Sequence, residues 1–332
     1  NFAMSIIGEI QFSARIRTHE AEGNPSFATS NSATFEACLS TTIVDFVGIP
    51  KRSTSEIQEA QTLTLGLEYV KPDDSGNLLR DTLKVAVDWG DGSTEYYVGM
   101  GYPTHMYENG LVGEIQFAGN QNRINPDVGL SNKSKVDGNQ LSNVNNWWGN
   151  IKRWGSAQWV DLSNAFRGAE NLIITADDAP DLSQAVSLKG MFKGAKRMNA
   201  DLSQWDVSNV KDVSEMFRGA ATFNADVSNW NTANATNMAG MFDGATSFNQ
   251  DLSQWDVSNV TQFDLVEADT ILAGFLGNTA MSTENVDALL QSMSQQSLQP
   301  SVTSVTTYPS QYSDAGATAL DQLATQNGIS VT

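Results

Sequence analysis

The feature that most constrains the fold of this chain is a sequence that returns every 25 residues. "MNADLSQWDVSNV" at 198–210 is followed by "FNADVSNWNTANA" at 223–235 and by "FNQDLSQWDVSNV" at 248–260. Tandem units of about 20 to 29 residues with apolar residues at fixed offsets are typical of solenoids with one coil per unit. A single coil cannot bury its apolar edge alone, so the repeat predicts coils that stack on one another.

A tryptophan holds the same place in three successive units, at Trp205, Trp230 and Trp255. On the surface, such rings would recur at about 4.8 Å per coil and could bind a sugar chain. Tryptophan also has a large apolar area that favours burial. We therefore expect the three rings to fill the core or to seal its edge. The same structural role is predicted for the repeated phenylalanines Phe192, Phe217 and Phe242.

Polar residues also recur at fixed places in the units. The asparagines are Asn199, Asn224 and Asn249. Because buried backbone groups need partners, these amides are predicted to satisfy backbone groups coil after coil. The aspartates two positions later are Asp201, Asp226 and Asp251. They are expected either to cap turns, which we favour, or to join Asp206 and Asp256 in a stripe that holds Ca²⁺.

Positions that differ between the units are the ones we expect to contact a partner. A side chain repeated in every unit is explained by stacking alone, whereas a variable one is not. The predicted binding face therefore consists of Gln204, Asn229, Gln254, Lys211 and Thr236.

The chain before the repeats has the pattern of short β-strands. Leu83, Val85 and Val87 alternate with polar residues, and "DWGDGS" then supplies a turn before the next β-type run, "TEYYVGM". Two strands around an Asp/Gly turn predict a β-hairpin. Several such runs, including "GEIQFAG", predict a β-sandwich over residues 61–145. Residues 1–60 form a β-rich segment whose role the pattern does not give.

Two amphipathic helices are predicted after the repeats, within a C-terminal capping region at 263–332. The first has Ser282 or Thr283 as its N-cap, and one apolar face. That face consists of Val286, Leu289, Leu290 and Met293. The second ends at Asn327–Gly328, since glycine after the last turn is a common C-cap. An open end of a repeat array needs such a cap.

The charge balance excludes some partners. The formal net charge is −19, from 38 acidic and 19 basic residues, which argues against nucleic acid and anionic membrane surfaces. Cys38 is the single cysteine, so a disulfide within the chain is impossible. No apolar run of about 18 residues exists, so membrane insertion is not expected. Neither Cys38 nor the two histidines, His19 and His105, has the context of a catalytic triad or a metal site.

The sequence of the repeats resembles that of the BspA-like leucine-rich surface protein family, and residues 191–263 match nearly three units of that family. "VAVDWGDGS" and "THMYENG" resemble the PKD-like β-domain that often precedes these repeats, and this resemblance implies that Trp89 packs inward. The resemblance, over roughly residues 80–332, implies a mixed β and α/β fold. Its parts would be a PKD-like or Ig-like β-sandwich, a short leucine-rich-repeat-like solenoid at 146–262 and a helical C-terminal cap. It also implies an extracellular or cell-surface protein, but no particular ligand.

Three functions are compatible with these observations. The favoured one is a non-enzymatic recognition or adhesion module that presents a rigid repeat face to a protein or glycan. The alternative is a structural virion protein, a capsid-decorating or tail component on the virion surface, for which an oligomer is possible. The least favoured is a polysaccharide hydrolase, which would need two carboxyl groups about 5 to 10 Å apart in a cleft. The sequence singles out no such pair, and apart from the Ca²⁺ stripe it suggests no cofactor.

Overall fold

In the residues that the structure describes, the chain is β-rich, with several mainly antiparallel sheets and helices of 11 and 14 residues. The computed structural model describes residues 15–18, 27–28, 42–46, 61–75, 77–89, 92–107, 113–124, 130–133, 150–263, 274–302, 304–305 and 312–331. Cys38 and His19 lie outside these residues, as does most of the segment 1–60.

Strands in the described part of the chain are mostly short. They are β1 (Arg15–Thr18), β2 (Phe27–Ala28), β3 (Thr42–Phe46), β4 (Gln61–Leu65), β5 (Leu67–Pro72), β6 (Leu78–Asp81), β7 (Leu83–Asp88), β8 (Thr94–Gly99), β9 (Thr104–Tyr107), β10 (Gly113–Gly119), β11 (Arg123–Ile124), β12 (Leu130–Lys133), β13 (Asn150–Arg153), β14 (Ile173–Ile174), β15 (Ser304–Val305) and β16 (Ser330–Val331). The helices are α1 (Thr283–Met293) and α2 (Asp314–Asn327).

The largest sheet has eight strands in the order β14-β13-β3-β10-β7-β8-β1-β2. Its centre contains the predicted hairpin, in which β7 and β8 pair antiparallel. Leu83, Val85 and Val87 are buried on one face of β7, as the alternation predicts. Strands β1 and β3 pair with β8 and β10 respectively. These pieces of the first 60 residues therefore belong to the same sheet as the hairpin.

Two three-stranded sheets, β11-β5-β6 and β12-β4-β9, complete this part of the chain. We call strands β1–β13 the N-terminal sheets. Trp89, which directly follows β7, is fully buried, and the ring of His105 stacks on it at a centroid distance of 5.0 Å. The inward packing predicted for Trp89 is confirmed. His105 thus has a packing role in the hairpin.

After β13 the backbone contacts recur every 25 or 26 residues; we call residues 157–263 the repeat region and each recurring segment a coil. Neighbouring coils are joined by isolated parallel bridges that run through Asp161, Ser187, Asp212, Asn237 and Gln262. Backbone hydrogen bonds follow the same spacing. Phe192 N donates to Met216 O at 2.9 Å, and Phe217 N donates to Met241 O at 2.9 Å. Each coil therefore satisfies backbone groups of the coil before it.

Aromatic rings form the core of the repeat region. Phe192, Phe217 and Phe242 are fully buried and follow one another, with centroid distances of 5.8 Å and 5.6 Å. Phe223 and Phe248 form a second column, 5.8 Å apart and nearly parallel. Such ring contacts add to the stabilisation that the bridges give, by about 0.5 to 1.5 kcal/mol per aromatic pair beyond the burial of their area.

Glycines of the repeated "F-x-G-A" stretch adopt a left-handed backbone conformation. Gly194, Gly219 and Gly244 have φ values of 74°, 70° and 77°. Side chains raise the energy of this conformation by about 1 to 2 kcal/mol per residue. The fixed glycine thus lets each coil turn sharply after its buried phenylalanine.

Replacing Gly219 by alanine should destabilise the chain by about 1 to 2 kcal/mol, the cost of a Cβ in the left-handed region. Urea unfolding followed by circular dichroism measures the change. Gly101→Ala is the matched control, because nothing lies within 4 Å of the added Cβ and Gly101 has no positive φ. An equal stability of the two variants would contradict the interpretation.

Helix α1 begins after the N-cap Ser282, whose hydroxyl accepts a hydrogen bond from Asn285 N. Its buried residues are the predicted Val286, Leu289, Leu290 and Met293. Helix α2 ends at Asn327, and Gly328 has the left-handed C-cap conformation with φ 66°. Both helix predictions are confirmed. None of the helices in the described residues is long and apolar enough to cross a membrane.

Candidate functional site

The three repeated tryptophans lie inside the repeat region. Trp205, Trp230 and Trp255 are 5%, 4% and 1% exposed. The indole N–H groups of Trp230 and Trp255 donate to Leu202 O and Val227 O of the preceding coil, each at 3.0 Å. The rings therefore offer no surface on which a sugar could stack.

The asparagines that precede the repeated aspartates link neighbouring coils. Asn224 N donates to the side-chain oxygen of Asn199 at 2.8 Å, and Asn249 N donates to that of Asn224 at 2.8 Å. At the end of the series, Ser282 N donates to the side-chain oxygen of Asn249 at 2.7 Å. Helix α1 thus takes the place that a further coil would occupy.

A second asparagine column, which the sequence analysis missed, makes the reverse kind of contact. The side-chain amides of Asn209, Asn234 and Asn259 donate to carbonyls 26 residues earlier, at 3.2, 2.7 and 2.8 Å. These asparagines recur every 25 residues, and this spacing could have predicted the column from the sequence. This column is also closed by the C-terminal part, since Gln299 Nε2 donates to Ser258 O at 2.7 Å.

The repeated aspartates accept hydrogen bonds from the backbone two residues later. Asp201, Asp226 and Asp251 bind the N–H groups of the following serines at 2.9, 2.9 and 2.8 Å. Asp206 and Asp256 make the same contact at 3.0 and 2.9 Å. Hydrogen bonds from the backbone N–H and the hydroxyl of Ser203 lower the pKa of Asp201, and those from the hydroxyl and the backbone N–H of Ser228 lower the pKa of Asp226. Each carboxylate caps a turn.

These lowered pKa values predict an acid-sensitive contribution to stability. The contribution is complete above the ordinary carboxyl pKa of 3.8, and it is lost as the pH falls through the lower folded values of Asp201, Asp206 and Asp226. Asparagine caps the equivalent turns at Asn231 and Asn237. Replacing the three aspartates by asparagine should therefore keep the turns and flatten the fall in melting temperature between about pH 5 and pH 2. An unchanged pH profile would contradict this assignment.

Asp201 and Asp226 also line a shallow depression on the surface. Its other lining residues are Asn199, Ala200, Ser203 and Ala225. Across the described ranges, no group of three or more His, Cys, Asp or Glu residues is placed to hold a metal ion. The carboxylates of this stripe are engaged in turn capping.

The residues predicted to form the binding face lie in two columns. Gln204, Asn229 and Gln254 are exposed and follow the aspartate turns. Lys211 is exposed as well, whereas Thr236 is half-buried and its hydroxyl donates to Lys211 O at 3.2 Å. The second column therefore contributes partly to coil stacking, and the first is fully available to a partner.

A charged column that the sequence analysis did not single out lies between the repeated phenylalanines and glycines. Arg218 contacts Asp243 at 3.0 Å and Glu215 at 3.2 Å, and Glu215 also pairs with Lys193. Glu215 has φ 56°, where neighbouring coils have Gly190 and Gly240 at 59° and 61°. A charged side chain thus occupies a strained position at which glycine would be free of strain.

An ion-pair network around the buried Glu68 carboxylate joins the N-terminal sheets to the first coil. The Glu68 carboxylate is fully buried and pairs with Arg80 at 3.0 Å and Arg123 at 3.1 Å. Arg123 also binds Asp161 of the first coil at 3.0 Å. Tyr102 donates to Glu68 at 2.9 Å, and burial together with this bond raises the pKa of Tyr102 to about 12. Through the Arg123–Asp161 pair, the network holds the first coil against the N-terminal sheets.

Both ends of the repeat region are covered by other parts of the chain. At the first coil, Val160 N donates to Asn122 O of the N-terminal sheets at 2.8 Å. At the last coil, Gln296 Nε2 donates to Trp255 O at 2.9 Å, and Ser301 Oγ donates to Thr261 O at 3.0 Å. The surface left for a partner is therefore the side of the stack, where the exposed columns lie.

Comparison with known families matches residues 160–270 to a family described as "Mycoplasma protein of unknown function, DUF285". The match covers about a third of the chain and includes most of the repeat region. In that range it agrees with the resemblance to BspA-like surface proteins, and it does not extend to the N-terminal sheets. Comparison with curated proteins found no match, and comparison with solved structures found none.

Proposed function

We propose that this chain is a non-enzymatic recognition module, in which the side of the repeat region presents a preformed polar face to a protein or glycan. The observation that carries the proposal is the set of side-chain ladders. The Asn199–Asn224–Asn249 column and the indole bonds hold each coil in register with the next. A partner then meets a surface whose backbone is already ordered, which reduces the entropy lost on binding.

The proposed module has two parts, a repeat solenoid and a β-domain that precedes it. The in-register bridges and the stacked phenylalanines support a leucine-rich-repeat-like solenoid over residues 146–262. The hairpin with its Trp89–His105 stack supports a PKD-like β-domain over residues 61–145. The partner would be displayed on a cell surface or in the extracellular space, in keeping with the BspA-like resemblance of the repeats.

The exposed glutamine and asparagine column is the proposed contact surface. Gln204, Asn229 and Gln254 recur at the same place on three coils, and each is exposed. Their amides both donate and accept hydrogen bonds, which suits hydroxyl-rich glycans and peptide backbones. The caps at Asp201, Asp226 and Asp251 hold the turns from which these side chains project.

The test is binding of the full chain to glycan arrays, to protein arrays and to whole cells. Changing Gln204, Asn229 and Gln254 together to arginine should abolish binding without lowering the melting temperature, because all three are exposed. Ser75→Arg, an equally exposed change on the N-terminal sheets, is the control and should bind like the native chain. Absence of binding to every array and cell type would overturn the proposal.

A further inference from the structure

A cluster of cations lies on the first three coils of a chain whose net charge is −19. Arg167, Lys193 and Arg218 occupy the same place in successive coils, between the repeated phenylalanine and glycine. We call these three residues the basic column. The adjacent rings of Phe166, Phe192 and Phe217 are 5.8 Å apart at each step, so the cations follow the stacking axis at about one coil each.

The basic column keeps a net positive charge after its internal ion pairs are counted. Glu215 pairs with both Lys193 and Arg218, and Asp243 pairs with Arg218. Arg167 is exposed, and within the described residues its side chain has no ion pair or hydrogen bond. With the nearby Lys189, four cations face two carboxylates.

The cations also lie close enough to act on one another. Burial lowers the pKa of Lys193, and the charges of Arg167, Arg218 and Lys189 lower it further. The Glu215 carboxylate already lies against Lys193 and Arg218, so the repulsion left for a further anionic group to relieve is that of Arg167 and Lys189 on Lys193. Glu215 positions two of the three side chains in advance, at the strained backbone described above.

Two features restrict the chemical class of the partner: the cations of the basic column lie in a line, and no aromatic ring of the repeat region is exposed. All aromatic side chains of the repeat region are buried. Proteins that bind single-stranded nucleic acids use exposed aromatic rings for base stacking, which this surface lacks. A linear polymer with an anionic group on its repeating units needs no such rings, and it can meet one cation per coil.

We propose that the basic column binds a linear anionic polysaccharide, with its carboxylate or sulfate groups in contact with Arg167, Lys193 and Arg218 in succession. This inference rests on the proposed recognition function and names the chemical class of one partner. It places that partner beside the repeated phenylalanines, on a column separate from the exposed amides of Gln204, Asn229 and Gln254.

The test measures binding of the full chain by biolayer interferometry to immobilised heparin, polygalacturonate, dextran and poly(dT). Heparin carries sulfates and polygalacturonate only carboxylates, so these two arms identify the anionic group. We expect binding to at least one of them, weakened at least tenfold between 50 and 500 mM NaCl as about two or more ion contacts are screened. Dextran, which is neutral, and poly(dT) should bind at least tenfold more weakly.

Variants locate the site. Arg167→Glu should weaken binding by about tenfold or more, since it reverses a charge that no other described group neutralises. Arg153→Glu, an exposed cation on β13, is the matched control and should bind like the native chain. If Arg167→Glu lowers the melting temperature, Lys189→Glu replaces it as the test, because Lys189 is also exposed.

The outcomes separate this inference from the proposed function. Equal binding by the Arg167→Glu and Arg153→Glu variants would overturn the basic column as a site, as would equal binding of poly(dT) and the two polysaccharides. No binding to either polysaccharide would also overturn it. In each case the recognition function would still be decided by the arrays and by the Gln204, Asn229 and Gln254 variant.

Discussion

Replacing Phe217 by alanine should lower the free energy of unfolding by about 3 to 5 kcal/mol. Phe217 is fully buried and contacts the rings of Phe192, Phe223 and Phe242 at centroid distances of 5.8, 3.9 and 5.6 Å. Truncation therefore removes contacts with the coil before it, with its own coil and with the coil after it. The cavity has rigid walls, because the ladders hold the surrounding backbone in place.

Equilibrium urea unfolding measures this effect, with tryptophan fluorescence reporting on the repeat region. Asn229→Ala is the control in the same coil, because its exposed side chain should change stability by less than about 0.5 kcal/mol. Phe217→Leu, which restores most of the volume, should recover a large part of the loss. A Phe217→Ala variant as stable as the Asn229→Ala variant would show that the ring column does not bind the coils together.

Removing the Glu68 carboxylate should also lower the free energy of unfolding, at the junction between the N-terminal sheets and the first coil. Glu68→Ala removes the counter-charge of Arg80 and leaves Arg123 paired with Asp161 alone. Because both guanidinium groups are partly exposed, the expected cost is about 1.5 to 3 kcal/mol, as for lost hydrogen bonds to a charged group. The variant should also lower the pKa of Tyr102 from its value of about 12, while burial keeps it above the ordinary value of 10.0. The contact of Arg123 with Asp161 should loosen too.

Ultraviolet titration of the tyrosines, compared with the Tyr102→Phe variant, measures the pKa shift. Lys71→Ala is the matched control for stability, because it removes an exposed ion pair with Asp81 and should leave the melting temperature unchanged. A Glu68→Ala chain with native stability and an unchanged Tyr102 titration would refute the assigned role of the network.

Local patterns predicted the elements of this fold well. The alternation of Leu83, Val85 and Val87 gave a buried strand face, and Ser282 and Gly328 marked helix ends correctly. These features depend on neighbours in the sequence, so a single chain reveals them. The 25-residue period likewise indicated which residues share a column.

Long-range partners were beyond what the sequence shows. Glu68 meets Arg123, which is 55 residues later, and β1 pairs in parallel with β8. No local period relates such positions. The basic column was missed for a different reason: its position is one of several that vary between coils, as Arg218 and Asp243 show, and the sequence alone does not show that its cations lie side by side. The 25-residue period shows which residues share a column, but only the stacked coils show that the charged side chains of that column are neighbours.

Because both ends of the repeat region are covered by other parts of the chain, the number of coils between them can change without altering those end contacts. Asn224 accepts a hydrogen bond from the next coil in the same way that Asn199 does, and α1 contacts Asn249 as though it were another coil. A duplicated 25-residue unit could therefore enter between two inner coils while the sheets and α1 keep the same contacts. Gene duplication could thus lengthen the exposed side of the repeat region by one coil at a time. In each new coil, the residue between the repeated phenylalanine and glycine could then change its charge while those two residues stay the same.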